Sequence, residues 1–241
     1  MFKAKDKSFM DTDSQKIDPA EKDGVSWHFE TFPPNTKKAL DFLSLQNWLK
    51  ESKWYLAGGT AMALSAGHRK SFDLDFFNPE RNFDEKKLMA NFIGVKGWKT
   101  SVEDVGTIYG ELLGAKVSFI AYPFFAPKQN YLYYGSIKVL ALKDIAVMKI
   151  IAISQRGRKR DFFDLFWLAH NIEPLENIII KLKEQYPSVA HDYHHILKSL
   201  VYFADAETDP SPEIYFKANW REVKKFFIKE IPIIAKKLMK L

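Results

Sequence analysis

The stretch Leu56–Asn78, LAGGTAMALSAGHRKSFDLDFFN, decides how the rest of the chain is read. A short apolar run, Trp54-Tyr55-Leu56, leads into Gly58-Gly59-Thr60. Small and apolar residues from Ala61 to Ala66 predict a short helix, and a basic turn, His68-Arg69-Lys70-Ser71, follows it. A second strand, Phe72 to Phe77, carries Asp73 and Asp75 and ends at Asn78-Pro79. Side chains alternate along a strand, so both carboxylates leave the same side. Two like charges held close repel unless a cation lies between them. Magnesium, or manganese in its place, suits such a pair when phosphate oxygens complete the shell. Paired glycines before a helix let backbone N–H groups approach a phosphate, and a helix N-terminus favours negative charge. One short helix separates the two parts, so the acids and the helix start point into one crevice. The stretch describes a site for a metal-bound nucleoside triphosphate.

The 241 residues are enough for one large domain or two small ones with a proper core. Hydrophobic residues make up 46% and charged residues 27%, the balance of a globular protein. Cysteine is absent, which excludes a disulfide frame, a thiolate nucleophile and thiolate-bound zinc, and fits a cytoplasmic location. No run approaches the roughly 18 apolar residues of a membrane span, so no membrane partner is expected. The N-terminus, MFKAKDKSFMDTDSQK, has no apolar signal core.

The sequence predicts an α/β (α+β) fold: an N-terminal domain with a small mixed sheet and a helical C-terminal half. Residues 1–26 read as a loose arm, 27–142 as the sheet domain and 143–241 as the helical domain. Apolar positions from Ala39 to Leu49 predict one helix over 35–51, after Pro33-Pro34. Asp84 caps a helix expected to run to Ile93 and to end at Gly94. Three strands follow, Trp98 to Glu103, Thr107 to Leu113 and Ala115 to Tyr122, with turns at Gly106 and Gly114. Tyr131 to Leu142 holds one or two more strands about Gly135. From Lys143 the period becomes helical, with a helix stopping near Gly157 and another from Asp161 to Ala169. Pro174, Pro187, Pro210, Pro212 and Pro232 divide the remainder into about four helices.

The formal charge is +6. Six basic residues face one acid between Lys143 and Arg160, and eight face two between Lys217 and Leu241. The first run suits a polyanion; the second reads as a solvated helix face. His191 and His195 have the i, i+4 spacing of a metal pair, but no third ligand stands nearby, so they read as surface histidines. Tyr131, Tyr133 and Tyr134 beside Lys128 and Gln129 could stack bases, and packing is the simpler role.

At these residues the chain resembles the minimal polymerase-β-like nucleotidyltransferases, and more closely the AbiEii/AbiGii toxin family. The matching text is Gly58-Gly59-Thr60 with His68-Arg69-x-Ser71-x-Asp73-Leu74-Asp75-Phe76. A second block is Lys143-Asp144-x-x-x-x-Lys149 with Arg158-Lys159-Arg160-Asp161-x-x-Asp164-Leu165. The resemblance spans residues 50–170. It implies that Gly58, Gly59, Thr60 and Ser71 hold phosphates, that Asp73 and Asp75 bind the metal, that Lys149 contacts the triphosphate, and that Asp161 is an active-site acid. Asp164 reads as structural. The implied reaction is attack by an acceptor hydroxyl on the α-phosphate with loss of pyrophosphate. The implied biology is a toxin of a type IV-like toxin–antitoxin or phage-defence system, with RNA, in particular tRNA, as acceptor and a cognate antitoxin as partner. A protein or small-molecule hydroxyl is the alternative acceptor, and a nucleotide-binding protein without turnover is the alternative function.

One departure keeps that last alternative open. Related enzymes carry a third carboxylate on a neighbouring strand, and its natural place here, Lys116 to Ile120, holds Ser118. Serine neither binds metal like a carboxylate nor takes a proton at neutral pH. Asp161 is the favoured substitute, Glu111 on the preceding strand the second, and impaired turnover the third reading.

Overall fold

The structure is a computed structural model that describes residues 26–238; the expected N-terminal arm, apart from Ser26, lies outside them. Seven strands form one mixed sheet: β1 (Tyr55–Ala57), β2 (Leu74–Asn78), β3 (Trp98–Asp104), β4 (Thr107–Leu112), β5 (Ala115–Ala121), β6 (Leu132–Tyr134) and β7 (Ile137–Val139). Their order is β3-β4-β5-β2-β1-β7-β6. The meander β3-β4-β5 is antiparallel, as its glycine turns require, with Gly106 at φ 72° and Gly114 at φ 84°. Parallel pairing occurs where the chain must cross over, between β2 and β5 and between β1 and β7.

The helices are α1 (Pro34–Ser44), α2 (Asn47–Glu51), α3 (Gly58–Ala66), α4 (Glu85–Ala90), α5 (Leu142–Arg156), α6 (Lys159–Asn171), α7 (Leu175–Ile180), α8 (Leu182–Gln185), α9 (Tyr193–Ser199), α10 (Ala204–Glu207) and α11 (Trp220–Leu238). Strand β2 shows how the sheet is layered. Leu74, Phe76 and Asn78 are buried on one face, while Asp75 and Phe77 are only partly buried on the other. On the first face Phe76 and Phe119 stack at 5.2 Å between ring centroids, and Trp48 and Phe92 pack on Phe119. Helix α5 packs against α3 and α6, and its residues Ile145, Met148 and Lys149 share one cleft with Asp75 and Phe77.

Three expected elements differ. The helix predicted over 35–51 is two helices, broken at Leu45 and Gln46. Gln46 adopts an extended backbone, and its Nε2 donates back to Phe42 O at 2.9 Å, which satisfies the first helix's end. The helix after Asp84 closes at Ala90 and continues as turns to Gly94; Asp84 does cap it, accepting from Lys87 N at 2.9 Å. Pro232 does not end a helix but lies inside α11. The amphipathic face that buries Val223, Phe227, Ile231 and Ile234 outweighs the one hydrogen bond the proline removes.

The basic turn His68–Lys70 is held from the far end of the chain. Tyr215 N donates to His68 O at 2.8 Å and Lys70 N donates to Glu213 O at 2.9 Å. The helical half thus fixes a loop of the opening motif.

Candidate active site

Helix α3 begins directly at the end of β1, so Gly58 and Gly59 are its first residues. Gly58 sits at φ 69°, a left-handed conformation, and a Cβ there would lie 3.3 Å from Asp75 Oδ2. A Cβ on Gly59 would lie 2.4 Å from Arg69 Nη2 and 3.3 Å from Ser71 Oγ. The glycines are required because the acid strand and the basic turn close over the helix start. Thr60 Oγ1 and Ser71 Oγ are 2.9 Å apart, and Thr60 Oγ1 also donates to Asp73 O. These contacts fix the spacing between the helix N-terminus and the carboxylates.

Asp75 pairs in register with Ala57 of β1 and Ser118 of β5. Ser118 Oγ donates to Asp75 Oδ1 at 2.7 Å. Burial raises the Asp75 carboxyl above its usual range; the Ser118 bond opposes that shift, the neighbouring Asp73 charge adds to it, and Arg156 and Arg160 oppose it. The Asp73 carboxylate makes no hydrogen bond or salt bridge among the described residues, so its oxygens are open to a ligand. An uncommitted carboxylate beside a strained one suits a divalent cation. Among the described residues, no group of three His, Cys, Asp or Glu side chains is placed to hold a metal ion. Two carboxylates are a number that would fit a magnesium shell completed by phosphate and water oxygens.

A cleft of about 700 Å³ runs from the α3 start along the sheet. One wall carries Asp75 and Phe77 of β2, Ser118 and Ile120 of β5, and Tyr109 and Glu111 of β4. The facing wall is one side of α5: Ile145, Met148, Lys149, Ala152, Gln155 and Arg156, at helical spacing. Arg69, Lys116 and Arg160 complete its cationic lining.

Behind that wall lies a buried charge network. Asp164 is fully buried and accepts four bonds: from His68 Nε2 at 2.8 Å, Arg69 Nε at 2.6 Å, Arg69 Nη2 at 2.9 Å and Lys149 Nζ at 2.6 Å. Burial works against its charge, but Arg69 and Lys149 outweigh burial and hold the carboxyl well below the usual range. Asp161, also fully buried, accepts from Lys149 Nζ at 2.7 Å and from Arg156 Nε at 3.0 Å. Here too burial is overcome by the Lys149 and Arg156 cations, and the carboxyl lies below its ordinary value. The turn between α5 and α6, with Gly157 at φ 53°, brings Arg156 back over Asp161. Burial lowers the His68 pKa, which keeps the ring neutral at pH 7.

Asp161, the residue expected to supply the third acid, stands behind the cleft wall rather than in its lining. Its oxygens are taken by two cations, and its lowered pKa makes it a weak base. Glu111 does line the cleft. Gly58, Gly59, Thr60, Ser71, Asp73, Asp75 and Lys149 all line it as well. Tyr109 was not singled out from sequence, and Arg160 only as part of the second motif block. The cleft-facing period of β4 and β5 was the signal that could have found Tyr109. Asp144, from the second motif block, is buried elsewhere, where it accepts from Lys128 N, Gln129 N and Gln185 Nε2 at 3.0, 2.9 and 2.8 Å. His191 and His195 bond to the carbonyls of Tyr186 and Ser154 at 3.0 and 3.3 Å.

The family profile described as nucleotidyl transferase AbiEii toxin, type IV toxin–antitoxin system, matches residues 44–238, which takes in the glycine cradle, the aspartate pair and the α5–α6 network. The chain belongs to the AbiEii nucleotidyltransferase toxin family. An uncharacterized protein of Aquifex aeolicus is 36% identical over 187 residues, covering 74% of this chain and 86% of that protein. Two solved structures are similar at TM-score 0.49. One is a putative nucleotidyltransferase from H. pylori, 18% identical, covering 85% of this chain and 97% of that one. The other is MenT4, a nucleotidyltransferase toxin from Mycobacterium tuberculosis, 16% identical, covering 84% and 89%. As an AbiEii family member the chain is a nucleotidyltransferase. No helix among its described residues is long and apolar enough to cross a membrane.

Proposed function

We propose that this AbiEii family chain transfers a nucleotidyl group from a nucleoside triphosphate to a hydroxyl of RNA, tRNA included, and acts as a toxin restrained by an antitoxin. The observation that carries the reading is the convergence on one cleft of the α3 start, the Asp73–Asp75 pair and the Lys149–Arg156–Arg160 wall. That combination suits a triphosphate, because carboxylates alone would repel it and cations alone would not orient it. Asp73 and Asp75 would hold magnesium or manganese. Bound there, such an ion would supply positive charge to offset the phosphates and the developing charge of an in-line displacement.

The chain's own residues do the rest. The N–H groups of the α3 start and the Thr60 and Ser71 hydroxyls orient the terminal phosphates. Lys149, Arg156 and Arg160 offset the charge that builds on pyrophosphate as the bond to the α-phosphate breaks. Asp161 and Asp164 position Lys149, Arg69 and Arg156, which are long side chains that would otherwise sample many rotamers. Ser118 holds Asp75 in the orientation its ligand needs. Glu111, a carboxylate that lines the cleft, would take the proton that the acceptor hydroxyl loses. The cationic wall and the basic run Lys143–Arg160 favour a polyanionic acceptor over a neutral one.

The test is incubation with total RNA, magnesium and each triphosphate labelled at the α-phosphate. Label should enter RNA, and pyrophosphate should appear in equal amount. Label entering a protein or a small-molecule hydroxyl instead would replace the RNA acceptor. Tight triphosphate binding with no pyrophosphate would leave a nucleotide-binding protein, the reading that Ser118 in the third-acid position supports.

A further inference from the structure

A second groove, of about 390 Å³, opens on the other side of Asp73. Its walls are Asn35 and Thr36 at the start of α1, Phe72, and the β4–β5 turn from Gly114 to Lys116. Asp73 and Lys116 line both this groove and the main cleft, so the two cavities meet at the aspartate pair. The groove walls are tied together. Thr36 Oγ1 donates to Phe72 O at 2.8 Å, and Asn35 Nδ2 donates to Gly114 O.

Phe72 stands one residue before Asp73, yet its side chain is left in water, at 54% exposed. Lys70 Nζ lies 6.0 Å from the centre of its ring and donates to Glu213 Oε2 at 3.1 Å, an exposed pair that a phosphate can replace. Lys116, exposed on β5, makes no salt bridge among the described residues. An exposed aromatic ring with one lysine over it and a second lysine in the same groove, beside the acid pair, is a combination that holds single-stranded nucleic acid. Every base has a π face to stack, and the cations follow the backbone.

A transfer reaction joins two substrates and needs two seats that converge on the reacting atoms. The α3 start and the Lys149 wall occupy the triphosphate side. We propose that the Phe72 groove seats the acceptor as a single-stranded RNA end, with its terminal base stacked on Phe72 and its phosphates against Lys116 and Lys70. This rests on the nucleotidyl-transfer reading above. A duplex end offers no unstacked base to Phe72, and a protein hydroxyl brings no polyanionic backbone for the lysines, so neither uses what the groove presents.

The test measures RNA binding apart from turnover. Fluorescence anisotropy of a short labelled single-stranded RNA would be followed with the full chain, F72A, F72W and K116A. Because Phe72 is exposed, F72A should keep the wild-type thermal melt. F72A is expected to weaken RNA binding roughly tenfold, F72W to restore it, and K116A to reduce the salt dependence of binding. Binding of a fluorescent triphosphate analogue should be the same in F72A and wild type. Equal RNA affinity of F72A and wild type overturns the proposal, as does wild-type affinity no greater for single strands than for the duplex. The two readings fail separately. If RNA is labelled but its KM is unchanged in F72A, transfer stands and the groove falls. If binding depends on Phe72 but no triphosphate ever labels RNA, the groove stands and transfer falls.

Discussion

Replacing Asp164 with asparagine perturbs the site where its charges are most concentrated. The carboxylate accepts four bonds, two on each oxygen, from His68, Arg69 and Lys149, at 2.6 to 2.9 Å. Asparagine keeps the shape but offers one acceptor oxygen and turns an NH2 toward either Arg69 and His68 or Arg69 and Lys149. Two of the four donors lose their acceptor, and Arg69, at 4% exposure, loses its counter-ion. Breaking a buried ion pair from one side costs about 3–5 kcal/mol. For a chain of this size that is a fall in Tm of about 6–20 °C. Differential scanning calorimetry of both proteins at pH 7 measures it. The pH dependence follows from the sign of the shift. A carboxyl whose folded pKa lies well below its unfolded value contributes stability that is complete above the unfolded pKa and is lost as pH falls towards the folded one. The Tm gap between wild type and D164N should therefore be level from about pH 5 to 8 and close below about pH 4, where the unfolded chain takes up the proton. A fall of less than about 3 °C at pH 7, or a gap that widens in acid, would refute this account of the network.

G59A should weaken triphosphate binding at least tenfold and cost about 1–3 kcal/mol of stability, because its Cβ would sit 2.4 Å from Arg69 Nη2; calorimetry and triphosphate titration read the two effects. S118A removes the donor that opposes the burial-driven rise of the Asp75 carboxyl, so the acid limb of the pH–rate profile should move to higher pH; a profile that stays in place or moves lower contradicts the Asp75–Ser118 link. P232A should raise stability by about 1–3 kcal/mol, since it restores an N–H inside α11 that can donate to Ile228 O; a Tm at or below wild type would mean that the helix is shaped around the proline.

What the sequence made legible was local. The meander β3-β4-β5 was readable from Gly106 and Gly114, because only a turn asks for such glycines between short apolar runs. The cradle and the acid pair were readable because Gly58–Thr60 open a nine-residue helix and Asp73–Asp75 follow it after one short turn. The strand order was not readable, since insertion of β2 between β5 and β1 is decided by packing across the whole chain. The break at Leu45 and Gln46 carried no proline or glycine to announce it. Asp161 and Asp164 differ by one helical turn and by no chemistry; only their partners, Arg156 for one and Arg69 for the other, set them apart. Those partners lie as far as 95 residues away along the chain, which no spacing rule reaches. The acceptor groove escaped for the same reason, because its walls come from α1, the residue before Asp73 and the β4–β5 turn.

On the proposed reading, Asp73 and Asp75 make this cleft a nucleotidyl-transfer site rather than a nucleotide-binding site alone. The direct measurement compares wild type with the double variant D73N/D75N in magnesium, with RNA and triphosphate labelled at the α-phosphate. Label in RNA and pyrophosphate release are read together, and a thermal melt confirms the fold. The wild type should transfer label and the variant should lose at least about a thousandfold, the order of effect expected when charge stabilisation at the reacting phosphate is removed, with the melt within a few degrees. Transfer by D73N/D75N at the wild-type rate would contradict that reading.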